Sequence, residues 1–103
     1  MSGLIQREGL RVVVGLGKTG LSCVRYLRQL GYKVAVNDTR TNPPNLAELQ
    51  AEFADVEVSL GQLDEVLLLK AHEIIVSPGI SIQEPALLSA HLNAGIKIIG
   101  DIE

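Results

Sequence analysis

Arg11-Val12-Val13-Val14-Gly15-Leu16-Gly17-Lys18-Thr19-Gly20 is the stretch on which the reading of this chain turns. The run from Arg11 to Val14 is short, rich in β-branched residues and closed by a glycine, which reads as a buried strand. The three glycines that follow keep a G-x-G-x-x-G spacing. Between a strand and a helix, the first permits a tight turn, the second lets backbone approach a diphosphate, and the third lets helix and strand pack closely. From Lys18 to Leu30 the pattern becomes helical. Gly20, Cys23, Val24, Leu27 and Leu30 share one face, while Arg25, Arg28 and Gln29 fall elsewhere and suit water. Gly31 closes that helix. N–H groups at its start, around Thr19, face an anion with the helix dipole behind them. The other reading of the loop is a tight turn that holds nothing.

Downstream the alternation of strand and helix continues. Lys33–Asn37 reads as a second strand, Leu46–Ala54 as a helix, Val56–Leu60 as a third strand and Leu63–Leu69 as a short helix. The paired prolines in residues 41–45 forbid both helix and ladder there. Glu73–Val76 contains a fourth strand. Pro85–Ala94 is a helix with proline in its first turn and Gly95 beyond its end, and Ile96–Ile99 is a fifth strand. Five strands separated by helices predict an α/β domain: a Rossmann-like three-layer fold with a five-stranded parallel sheet and right-handed crossovers.

Bulk composition narrows the function. The 103 residues suffice for one domain, and 47% hydrophobic with only 3% aromatic means an aliphatic core. A net charge of −3 argues against a nucleic-acid surface, which needs a basic stripe. No apolar stretch reaches the roughly 18 residues of a membrane span. The short polar N-terminus is not a signal peptide, and a single cysteine, Cys23, excludes an internal disulfide. A cytoplasmic protein is expected.

Two further loops bear on chemistry. Asp38-Thr39-Arg40 directly follows the second strand, and Asp38 lies 18 residues after Gly20. An acid near that offset accepts hydrogen bonds from a ribose or from a base N–H, and Arg40 suits a phosphate. A solvated turn capped by Asp38 is the alternative. Ser77-Pro78-Gly79 follows the fourth strand as a rigid turn with exposed N–H groups, equally readable as structure alone. If the first and fourth strands are neighbours, all three loops meet at the crevice where strand order reverses. His72 and His91 have no partner at a metal spacing, Cys23 suits packing, and Glu48, Glu52 and Asp55 suit a solvated face. No nucleophile is paired with a general base and no G-x-x-x-x-G-K-[ST] loop for ATP is present, so neither catalytic nor metal-ligating residues are expected here.

Four segments together resemble the Mur ligase family: Val13–Cys23, Asn37–Pro44, Ile75–Ile80 and Gly95–Glu103, in order and over nearly the whole chain. The resemblance is to the branch that adds D-glutamate to UDP-N-acetylmuramoyl-L-alanine in peptidoglycan synthesis. It implies that residues 1–103 are an N-terminal domain that binds the UDP end of that substrate; a monomer is expected. It implies ATP and magnesium on a second domain, an acyl phosphate in the full reaction, and a third domain, none of them within these residues. By motif position, the UDP-binding set is Gly15, Gly17, Lys18, Thr19, Gly20, Asp38, Thr39, Arg40, Ser77 and Gly79. Asp38 and Thr39 would meet the uracil, Lys18 and Thr19 would lie along the diphosphate, and Gly79 would border the nucleotide. The 103-residue chain alone is expected to have no ligase activity. The competing reading is an NAD(H)-binding Rossmann domain of an oxidoreductase or regulatory protein, which the glycine spacing and Asp38 suit by themselves.

Overall fold

A computed structural model describes residues 9–76 and 95–100. Its elements are β1 (Leu10–Val14), α1 (Lys18–Gln29), β2 (Lys33–Asp38), α2 (Leu46–Glu52), β3 (Glu57–Leu60), α3 (Glu65–Leu69), β4 (Ala71–Val76) and β5 (Lys97–Gly100). The strands form one sheet in the order β3-β2-β1-β4-β5, and each pairing is parallel. The sheet thus grows outward from β1 to β3, then restarts on the other side of β1 with β4. That reversal sets the carboxyl ends of β1 and β4 side by side at the switch in strand order, since Val14 pairs with Val76.

The alternation of side chains across the sheet builds two cores. On one face Val13, Val34, Val36 and Ile75 pack with Leu21 and Val24 of α1 and Leu49 of α2. On the other, Val12, Val14, Ala35, Ile74 and Val76 pack with Leu67 and Leu68 of α3. Helices therefore cover both faces. β1 supplies both cores at once: Val12, Val13 and Val14 are fully buried.

Element types follow the sequence reading, while the edges move. β2 runs one residue further than expected, to Asp38, because its pairing with β3 persists to Leu60. α2 stops at Glu52, two residues early, where Phe53 leaves helical geometry and its N–H returns to the Leu49 carbonyl. α3 starts only at Glu65, because Asp64 caps it: its Oδ1 accepts the Leu67 N–H at 3.1 Å. β4 begins two residues earlier, at Ala71. The buried face of α1 is Gly20, Leu21 and Val24, with Leu27 half-buried; Cys23 sits at its flank. The helix expected over 85–94 lies outside the described residues.

The end of the sheet away from the crevice holds the one buried cation among the described residues. Arg11 donates through Nε to Glu73 at 3.3 Å and stacks over the Tyr32 ring at 4.2 Å. On the solvent side of α1, Arg25 meets Glu52 at 3.0 Å and Arg28 meets Asp55 at 2.8 Å. The acids read as a solvated face are thus tied to α1, though such exposed pairs contribute at most about 1 kcal/mol each. Among the described residues no helix is long and apolar enough to cross a membrane.

Candidate functional site

The glycine loop occupies residues 15–17, between β1 and α1. Gly15 has φ +97°, a left-handed conformation that glycine adopts without penalty. Its N–H donates to the Asn37 carbonyl at 2.8 Å, which fastens the turn to β2. Leu16 is fully buried against the α1 side of the sheet. Gly20, in the first turn of α1, is buried, as close helix–strand packing requires.

Gly17 differs from the other two. It is the N-cap of α1 with φ −100°, a conformation open to any residue, and a Cβ built on it meets nothing within 4 Å. Among the described residues, therefore, neither backbone geometry nor packing requires glycine there. No side chain caps the helix and no acid stands in its first turn; Lys18 and Thr19 are exposed. Among the described residues, then, neither a side-chain cap nor a first-turn acid offsets the positive dipole end of this helix start, an arrangement that suits an anion.

Asp38 is where the structure adds most to the sequence reading. It is the last residue of β2, not part of a solvated turn, and its side chain is fully buried. Its Oδ2 accepts the Leu16 N–H of the glycine loop at 2.7 Å and Arg40 Nη2 at 2.8 Å. Its Oδ1 accepts the Arg40 backbone N–H at 2.8 Å and Arg40 Nε at 3.0 Å. Burial by itself would raise this carboxyl. The bonds from the Arg40 guanidinium and from the N–H groups of Arg40 and Leu16 outweigh it and hold the group below its ordinary value. One carboxylate thus joins the loops after β1 and β2. Thr39 is exposed, and the Arg40 side chain is half exposed.

Asn37, which sequence reasoning passed over, is the second knot. It is fully buried; its Nδ2 donates to the carbonyls of Ser59 and Gln62 at 3.0 and 2.9 Å, and its Oδ1 accepts the Asp64 N–H at 2.8 Å. It fixes the loop after β3 to the end of β2. The signal was a polar pair, Asn37-Asp38, closing an otherwise apolar strand, since a buried polar group must find partners.

The structure therefore brings Gly15, Gly17, Lys18, Thr19 and Gly20 together with Asp38, Thr39 and Arg40 at one sheet edge. Ser77 and Gly79 lie outside the described residues; β4 does end beside β1, at Val76. Cys23 is half-buried on the wall of an apolar cavity of about 360 Å³ between α1 and the β4–β5 face, bordered also by Tyr26, Ile75 and Ile99. Burial pushes its thiol up, away from reactivity. His72 is exposed at the far end of the sheet.

Residues 10–100 match the family described as Mur ligase MurD-like, N-terminal domain. The chain is 51% identical over 100 residues to the UDP-N-acetylmuramoylalanine--D-glutamate ligase of Pseudomonas aeruginosa, covering 97% of this chain and 22% of that protein. It is 54% identical over 92 residues to the same-named enzyme of Marinobacter nauticus, covering 89% and 20%. The chain thus spans about a fifth of the length of these relatives. Among solved structures, a pseudomurein peptide ligase type C from Methanothermus fervidus superposes with a TM-score of 0.72 at 26% identity, over 90% of this chain and 19% of that one. A shikimate 5-dehydrogenase from Thermus thermophilus superposes at 0.61 with 17% identity, over 96% and 44%, which shows a shared fold alone.

Proposed function

We propose, on the premise that this chain belongs to the MurD-like N-terminal domain family of Mur ligases, that it holds the UDP end of UDP-N-acetylmuramoyl-L-alanine. The whole protein would then join D-glutamate to that substrate with ATP, through an acyl phosphate. ATP and magnesium would be held by segments outside these residues. The protein would work in the cytoplasm as a monomer, with a small UDP-sugar as its partner and neither nucleic acid nor membrane.

The observation that carries this reading is Gly17. Nothing among the described residues demands glycine there, which fits a ligand that approaches the backbone closely. A diphosphate in that space would receive N–H groups at the start of α1, with Lys18 and Thr19 alongside. Gly15 and Gly20 shape the turn; Asp38, Thr39 and Arg40 would meet the nucleoside; Ser77 and Gly79 would close the crevice from the β4 side. A dinucleotide could use the same glycine spacing, but the family relationship favours a UDP ligand over NAD(H).

A ¹⁵N-labelled sample titrated with UDP-N-acetylmuramoyl-L-alanine, and separately with NAD, tests the proposal. Shifts of the Gly15, Gly17, Thr19, Thr39 and Gly79 amides with the UDP compound alone are expected. The same shifts with NAD alone would replace this reading with the dinucleotide one.

A further inference from the structure

We infer that Arg40 is a displaceable latch on Asp38 and that it makes the site select nucleoside diphosphates over nucleosides. The inference rests on the UDP-site reading above and goes beyond it. A carboxylate offers about four lone-pair positions. All four on Asp38 are taken: by the Leu16 and Arg40 backbone N–H groups and by two nitrogens of the Arg40 side chain. A ligand donor, whether a base N–H or a ribose hydroxyl, reaches Asp38 only by removing one of these.

The four are not equally removable. The two backbone N–H groups are fixed by the glycine loop and by the turn. The guanidinium sits on a side chain that is 52% exposed, with Asp38 as its partner among the described residues. Arg40 is therefore the group that yields. It also has somewhere to go: Oδ2 is shared between Arg40 Nη2 and the Leu16 N–H, so the guanidinium already lies next to the loop that cradles an anion. A nucleoside diphosphate replaces both halves of the broken pair. Its nucleoside donates to Asp38, and its diphosphate receives Arg40. A nucleoside without phosphate supplies only the first half and leaves Arg40 without an anion.

The test compares UDP with uridine, by calorimetry and ¹⁵N spectra, on the unmodified chain and on Arg40→Ala. The unmodified chain is expected to bind UDP far more tightly than uridine. In the variant, uridine affinity should rise roughly three- to tenfold because no latch competes, while UDP affinity falls by a similar factor. In the unmodified chain, the Arg40 Nε–H resonance should leave its carboxylate-bonded position in step with UDP binding. Uridine affinity that is unchanged or lower in Arg40→Ala overturns the latch, as does an Nε–H resonance that UDP leaves in place. If the unmodified chain binds neither UDP nor uridine, the site reading itself fails; UDP binding without the uridine gain removes the latch alone.

Discussion

Replacing Asp38 with alanine isolates the bond that joins the loops after β1 and β2. The side chain is fully buried, and so is Leu16, whose N–H it accepts at 2.7 Å. Removing the carboxylate leaves that N–H without a partner where water does not reach, at a cost of about 1–3 kcal/mol. Losing the Arg40 pair adds about 1 kcal/mol or less, because that guanidinium is half exposed and returns to solvent. The variant should therefore be about 1–4 kcal/mol less stable. At a urea slope near 1 kcal/mol/M, typical of a small domain, the midpoint should fall by roughly 1–4 M. Arg40→Ala, which keeps the Leu16 bond, is the internal control and should lose no more than about 1 kcal/mol. If Asp38→Ala costs no more than Arg40→Ala, the Leu16 bond contributes little and the account of the loop junction is wrong.

Because the Asp38 carboxyl is held below its ordinary value in the folded protein, its contribution is full above the unfolded carboxylate pKa, about 3.9, and is lost as pH falls through the lower folded value. The stability gap between the unmodified chain and Asp38→Ala should thus be constant from neutral pH down to about 4 and narrow below it, as urea melts at several pH values would show. Gly17→Ser places a good N-cap at an uncapped helix start where a Cβ has room, so urea melts should find it as stable or up to about 1 kcal/mol more so. The same variant should bind UDP at least about tenfold more weakly by calorimetry, and unimpaired binding would count against the phosphate cradle. Leu67→Ala should cost about 2–5 kcal/mol in thermal melts because Leu67 is buried between α3 and the sheet, whereas the neighbouring Val66, 70% exposed, should tolerate alanine within about 0.5 kcal/mol.

The sequence made the local features legible. Three valines followed by spaced glycines yielded β1, the turn and the start of α1, because apolar run length and glycine spacing act over a few neighbouring residues. The family motifs likewise pointed to the relatives later found. What stayed hidden depends on contacts distant in the chain. That Asp38 ends a strand is decided by β3, whose Leu60 pairs with it. The Leu16–Asp38 bond and the three bonds of Asn37 join residues 22 to 27 apart, and no spacing rule announces them. Helical periodicity places the α1 face slightly off at its flank: Leu21 faces the core that α2 completes, while Cys23 turns toward the β4–β5 side.

The return of the chain from β3 to the far side of β1 has a consequence for how the domain is assembled. The segment from β1 to β3 is continuous, and its neighbouring strands can zip together early. β4 must then find the remaining edge of β1 across the whole of that segment, a contact of high sequence separation whose loop-closure cost predicts late formation. Until it does, Val12 and Val14 lack part of their cover and the crevice has only one wall. A ligand that spans both walls favours the closed sheet by mass action. Amide hydrogen exchange should register this as slowing along the β1–β4 seam when UDP is bound, with little change between β2 and β3.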